Sequence, residues 1–143
     1  MSTPSIVFKD ATGDNSKTIA GTGTINIGGG LINSSAFGTG DAGNNGRDVN
    51  MNVVLAGSGG LTIAGHGNAT ANGGGGGGSE FRLGAANTFS GGLTITSGLV
   101  SWTNEANFGD ISNVITLNGG GLLYTAAAGA TAHNIKVGAS GGT

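Results

Sequence analysis

The sequence predicts an all-β chain wound as a solenoid, and three observations carry that prediction. Apolar or alternating segments are short and numerous, the bends between them are rich in glycine, and one bend-plus-strand unit occurs twice in identical letters. Gly supplies 33 of the 143 residues, Pro 1 and Cys 0. A Gly and Pro content near the ~25% level is the usual signature of disorder. Here the hydrophobic fraction of 36% and the regular placing of its β-branched members oppose that reading. Helix signals are almost absent, because the one candidate run, Thr125 to Gly129, meets its glycine within a turn.

The expected strands follow in chain order. Ile6–Phe8 and Thr24–Ile27 open the series, and Val49–Leu55 alternates apolar with polar residues. Leu61–Ile63 and Leu93–Ile95 are both Leu-Thr-Ile, and Phe81–Leu83 places Arg82 between two apolar residues. Leu99–Trp102, Val114–Leu117, Leu122–Tyr124 and Ile135–Val137 complete the set. Each is bounded by Gly, Asn, Ser or Asp, whose backbone tolerance and side-chain hydrogen bonds favour turns.

The internal repeat decides between architectures. Ser58-Gly-Gly-Leu-Thr-Ile63 recurs as Ser90-Gly-Gly-Leu-Thr-Ile95, 32 residues on. A glycine pair allows a sharp bend, after which Leu and Ile fall on one face and Thr on the other. A second echo links Gly28-Gly-Gly-Leu-Ile32 with Gly119-Gly-Gly-Leu-Leu123. Hairpin sandwiches favour Asn-Gly or Asp-Gly joints between adjacent strands, whereas very short strands between glycine-rich bends suit a β-solenoid.

From residue 50 to 124 the pattern resembles a known family. Asn50-Met-Asn-Val-Val-Leu-Ala-Gly-Ser-Gly-Gly-Leu-Thr-Ile-Ala-Gly65 is similar to the lead-in of a passenger-associated transport repeat, the autotransporter-associated β-strand repeat. Gly84-Ala-Ala-Asn-Thr-Phe-Ser-Gly-Gly-Leu-Thr-Ile-Thr-Ser-Gly-Leu99 resembles its centre, and Val114-Ile-Thr-Leu-Asn-Gly-Gly-Gly-Leu-Leu123 its closing strand. The resemblance implies a right-handed, single-stranded parallel β-helix within a large extracellular bacterial protein, where the repeat is linked to export. This chain departs from the family in lacking a secretory signal and a C-terminal translocating barrel, and in carrying the Gly73–Gly78 run. It is therefore read as one partial solenoid segment over residues 1–143, without evident caps. Its coils are looser over residues 1–49, the best match spans 50–124, and a glycine loop occupies 73–78.

The chemistry-bearing residues point away from catalysis. Charged residues are 8% of the chain and the formal net charge is −2. Lys9, Lys17, Arg47, Arg82 and Lys136 are scattered, which excludes the basic patch that nucleic acid requires. No apolar run approaches the ~20 residues of a membrane helix. Gly38-Thr-Gly-Asp-Ala-Gly43 fits a dinucleotide fingerprint in letters, but no helix follows it. Gly13-Asp-Asn-Ser-Lys-Thr18 lacks the glycines of a phosphate loop. Gly43-Asn-Asn-Gly-Arg-Asp-Val-Asn50 partly resembles a calcium-binding nonapeptide, yet occurs once and with its apolar residue displaced. It reads as a polar loop bearing Asp41 and Asp48, and calcium at 38–48 stays open.

Gly65-His66-Gly67 resembles a segment of pectin-cleaving β-helix enzymes, and Asn134-Ile-Lys136 hints at their basic motif. Glycoside hydrolysis needs two carboxyl groups across the scissile bond, and only a spatial pair drawn from Asp41, Asp48 and Glu80 would supply them. His133 stands alone in the sequence, and Trp102 and Tyr124 read as core or cap. The expectation is thus a non-enzymatic structural or adhesive segment with no catalytic, cofactor or metal residues. It would be extracellular or displayed at the outer-membrane surface as part of a longer precursor. The alternatives are a virion fibre or decoration protein and, behind it, a carbohydrate-active β-helix. Expected partners are further coils of the same polypeptide or end-to-end self-association, with a host surface or glycan beyond them, and neither nucleic acid nor a membrane span.

Overall fold

The computed structural model describes residues 5–7, 16–33, 48–65, 80–126 and 130–142. Among them the regular elements are β1 (Ser5–Val7), β2 (Lys17–Asn26), β3 (Leu31–Asn33), β4 (Val49–Ala56), β5 (Leu61–Ala64), β6 (Phe81–Leu83), β7 (Leu93–Ser97), β8 (Leu99–Trp102), β9 (Val114–Leu117), β10 (Gly121–Tyr124) and β11 (Asn134–Val137), with a 3-10 turn at Glu105–Phe108. No α-helix occurs among the described residues. Every strand pairing is parallel. Odd-numbered strands form a six-stranded sheet in the order β1-β3-β5-β7-β9-β11, and even-numbered strands a five-stranded sheet in the order β2-β4-β6-β8-β10. The chain therefore alternates between sheets, one odd and one even strand to a layer. Parallel neighbours need a crossover connection, and here the strand in the opposite sheet provides it.

The repeated hexapeptide stacks on itself. Leu61 lies beside Leu93, Thr62 beside Thr94 and Ile63 beside Ile95. The two Leu and two Ile are at most 1% exposed, while both Thr are half-buried on the other face. The glycine pair has two separate reasons. A Cβ on Gly91 would collide with the backbone nitrogen of Gly60, so the bends of adjacent layers approach too closely for any side chain. Gly92 adopts a φ of +86°, a region open mainly to glycine.

The inward residues of both sheets meet in one hydrophobic cluster. Val49, Met51, Val53 and Leu55 enter it from β4, Phe81 and Leu83 from β6, and Ile115 and Leu117 from β9. Phe89 and Phe108 fill the bends, and Trp102 packs against Phe108 (centroids 4.8 Å apart) and Tyr124 (4.5 Å). Trp102 thus belongs to the buried cluster and Tyr124 packs against it half-buried, while Trp102 also lines a recess on the outer face.

Two expectations need correction. β2 begins at Lys17 instead of Thr24, with an irregular register between Ala20 and Thr24. Its burial is too slight to leave an apolar pattern in the letters. β3 was not expected as a strand, since three residues after a glycine run carry little periodicity. The Gly28–Ile32 and Gly119–Leu123 echo does not mark stacked layers, because β3 lies in the odd sheet and β10 in the even one. The layer length also changes. Pairing offsets of 32 residues between β5 and β7 fall to 22 between Leu93 and Ile115. The step from β7 to β8 is Gly98 alone, whereas β5 and β6 are separated by residues 65–80. The Gly73–Gly78 run lies outside the described residues.

Replacing Ile95 with Asp should cost roughly 3–5 kcal/mol, since it places an unpaired carboxylate in the core. Thr94→Asp should cost roughly 0.5 kcal/mol or less. Urea unfolding of the two variants checks this, and equal midpoints would contradict the facing of β7.

Candidate functional site

The outer face of the even sheet carries a run of polar side chains. Period-two alternation places Thr18, Asn50, Arg82 and Ser101 in one outward row, and Asn52, Gly84 and Thr103 lie beside it. The small Gly84 and Ser101 lie among longer side chains and leave a recess of about 260 Å³, bordered by Asn50, Asn52, Arg82, Thr103 and Thr125. Beside it Ser16, Asp48 and Glu80, each 32 residues apart, stack just before their strands. The Ser16 hydroxyl accepts from the Asp48 N–H at 3.0 Å, and Asp48 Oδ1 accepts from the Glu80 N–H at 3.3 Å.

Arg82 ties this stack to the recess. Its terminal nitrogen is 3.0 Å from Asp48 Oδ2 and 2.5 Å from Glu80 Oε1, and its Nε donates to Glu80 Oε1 at 2.6 Å. The Arg82 side chain is 49% exposed, while those of Asp48 and Glu80 are 13% and 7%. The structure therefore assembles the spatial carboxylate pair that sequence spacing left open, but bridges both acids with one guanidinium. Glu80 Oε2 stays buried without a partner, as does Glu105 Oε2. Inverting and retaining hydrolysis both need carboxyl groups facing a shared cleft with room for a sugar. These two point into the same arginine, an arrangement that anchors a bend.

Buried asparagines replace the backbone ladder where strands stop. Asn87 Oδ1 accepts from the Leu55 N–H at 2.9 Å, and its amide donates to the Asn107 carbonyl at 2.6 Å. Asn107 Oδ1 accepts from the N–H groups of Thr103 and Asn104, and its amide donates to the Ala85 carbonyl at 2.8 Å. Asn113 donates to the carbonyls of Phe89 and Phe108 and accepts from the Gly92 N–H. Each amide is hydrogen-bonded at both its oxygen and its nitrogen, which marks these residues as structural. Asn87-Thr88-Phe89 and Asn107-Phe108 play one role in successive layers, a likeness visible in the letters yet masked by a one-residue difference in length.

Sequence spacing missed one polar cluster altogether. His133 is not alone: its Nδ1 is 2.5 Å from Glu105 Oε1, and its Nε2 is 3.1 Å from the Asp110 carbonyl. Both ring nitrogens lie within hydrogen-bond distance of oxygens. The same Glu105 oxygen accepts from the Thr131 hydroxyl (2.9 Å) and the Ala132 N–H (2.8 Å). Glu105 opens the 3-10 turn that Asn104 caps, so one carboxylate clamps the segment before β11 onto the turn after β8. The partners lie 28 residues apart, and only the layer register brings them together.

Burial raises the Glu105 pKa, and the hydrogen bonds from His133, Thr131 and Ala132 outweigh it, so the group sits below its ordinary 4.5. A depressed folded-state pKa stabilises above the ordinary value, and that stabilisation is lost as pH falls through the folded pKa. Wild type should therefore lose more thermal stability than Glu105→Gln on acidification below about 4.5. Asp110, held low by the Ser112 hydroxyl and N–H, titrates in both proteins and cancels. Melting curves between pH 7 and 3 decide it, and parallel pH profiles would remove Glu105 as the clamp.

Gly38–Gly43, Asp41, His66 and Gly67 lie outside the described residues, as does most of the 43–50 loop. No group of three or more His, Cys, Asp or Glu able to hold a metal occurs among the described residues. No helix there is long and apolar enough to cross a membrane. Comparison with known protein families, curated proteins and solved structures returned no match.

Proposed function

We propose that the chain is a non-enzymatic structural or adhesive segment of a secreted or surface-displayed bacterial passenger of the autotransporter type, wound as a right-handed, single-stranded parallel β-helix. One observation carries the reading: the Ser-Gly-Gly-Leu-Thr-Ile unit stacks in register on its own copy while the chain alternates between two parallel sheets. Parallel strands joined by crossovers in one sheet wind right-handedly in about 98% of cases, which supports the handedness. The order of motifs over residues 50–124 supports the family.

The polar clusters fit this role. Asp48, Glu80 and Arg82 pair at one bend, Glu105 and His133 lock another, and the buried asparagines are hydrogen-bonded through both oxygen and nitrogen. Inward positions are committed to packing, so recognition falls to the outward rows and bends. The recess bordered by Asn50, Asn52, Arg82 and Thr125 is the described surface suited to a host surface or a neutral glycan. Arg82 is the charged residue in its lining, and the others are polar or apolar without charge.

Fractionation of the source cells tests the proposal with an antibody against the chain. The antigen should occur in the outer-membrane or medium fraction and disappear when intact cells are treated with protease. Recovery in capsid-containing particles would replace the reading with a virion component. Antigen confined to the cytoplasm and protected from protease would overturn both.

A further inference from the structure

The fold buries the Ser101 side chain without giving its hydroxyl a partner. Ser101 is 2% exposed, flanked in the outward row by Arg82 of β6 and Leu123 of β10. Among the described residues its hydroxyl has no hydrogen-bond partner. A buried hydroxyl left unpaired is costly, and each one calls for a reason. The described side-chain oxygens that are both sealed from solvent and unpartnered are Glu80 Oε2 and Glu105 Oε2. The Ser101 hydroxyl therefore opens on the outer recess of about 260 Å³ that Ser101 lines.

The rim supplies further groups with bonds to spare. Asn50 and Asn52 leave β4 on the same face, about 6.6 Å apart along the strand. Neither the Asn52 amide nor the Thr103 hydroxyl bonds to another described residue. Amides and hydroxyls both donate and accept, as do the neighbouring hydroxyls of a sugar. Leu83 and Trp102 add apolar atoms to the lining, against which the C–H groups of a sugar ring can lie. Backbone N–H and C=O groups beneath the recess are committed to the parallel ladder, so an extended peptide would find none to pair with. Charge narrows the choice again. Asp48 and Glu80 already pair with the Arg82 guanidinium, and two carboxylates against one guanidinium leave an anionic ligand no net attraction.

We propose that this recess binds a single neutral hexose residue, with Ser101 at its floor and Asn52 and Thr103 as its hydrogen-bonding rim. The proposal rests on the adhesive-segment reading and names the glycan chemistry such a segment would recognise. Gly84 keeps the site open. A Cβ there would collide with Asn52 Oδ1, the end of an exposed and flexible side chain, while the nearest backbone atom is Met51 O at 3.7 Å. A side chain at position 84 thus fills the recess and pushes Asn52 aside without disturbing the core.

Amide NMR spectra of the full chain, titrated with methyl glucoside, methyl galactoside and methyl mannoside, test the proposal. At least one sugar should shift the backbone amides of Asn52, Gly84, Ser101 and Thr103 saturably, and the uronide of that sugar should bind more weakly. Ser101→Ala should weaken binding about tenfold, the loss of one well-formed hydrogen bond, while its urea midpoint stays level or rises. Gly84→Thr should stay folded and lose binding. No shifts with any of the three sugars, or shifts confined to other residues, would overturn the site and leave the surface-segment reading intact, since cell fractionation decides that separately. A uronide that binds as tightly as its parent would overturn the neutral ligand. Should Gly84→Thr fail to fold, Ser101→Ala decides alone: unchanged affinity, or stability lost together with affinity, would refute the proposal.

Discussion

Parallel, in-register stacking of successive layers is the constraint on which everything else in the molecule depends. A one-residue slip between β5 and β7 would turn Leu93 and Ile95 outward and both flanking threonines inward. Register is therefore fixed by burial, layer against layer, and the paired column of Ile6, Ile32, Ile63, Ile95, Leu117 and Val137 is its visible result. Because each strand's backbone groups are met by the strands above and below, few side-chain ion pairs are needed. A chain with 8% charged residues can fold this way.

Bends absorb what the strands cannot vary. Between β7 and β8 one glycine suffices, whereas β8 and β9 are joined by the capped 3-10 turn. Such unequal arms leave backbone groups without a ladder partner, and burying them unpaired would cost about 1–3 kcal/mol each. Asn87, Asn107 and Asn113 supply the missing donors and acceptors from side chains that are 2–5% exposed. Their abundance at bends follows from geometry and implies no chemistry.

How much of this was legible in the letters depended on whether a feature repeats at constant spacing. The Leu-Thr-Ile units announce both their facing and their partner, since 32 residues separate identical strings and no insertion disturbs them. β3 left no such trace, being only three residues after a glycine run, and β2 is too exposed to alternate clearly. Shorter later layers hid the kinship of Asn87-Thr88-Phe89 with Asn107-Phe108. Glu105 and His133 were illegible for a stronger reason. Two residues joined across adjacent bends of unequal length have no sequence distance that predicts their meeting, so the layer register had to be known first.

The same logic separates what can change from what cannot. Inward positions of each layer answer to the layers on both sides, so Ile63 or Ile95 can change only with its stacked neighbours. Outward positions answer mainly to solvent, and an exposed substitution typically alters stability by no more than about 0.5 kcal/mol. Arg82 stands between the two regimes. Its guanidinium faces the outer recess while satisfying two buried acids, Asp48 and Glu80, that belong to consecutive layers. Any ligand reaching the recess through Arg82 would act on a group that also holds two layers together. The outer surface there is coupled to the stack in a way that Thr94, on the opposite sheet, is not.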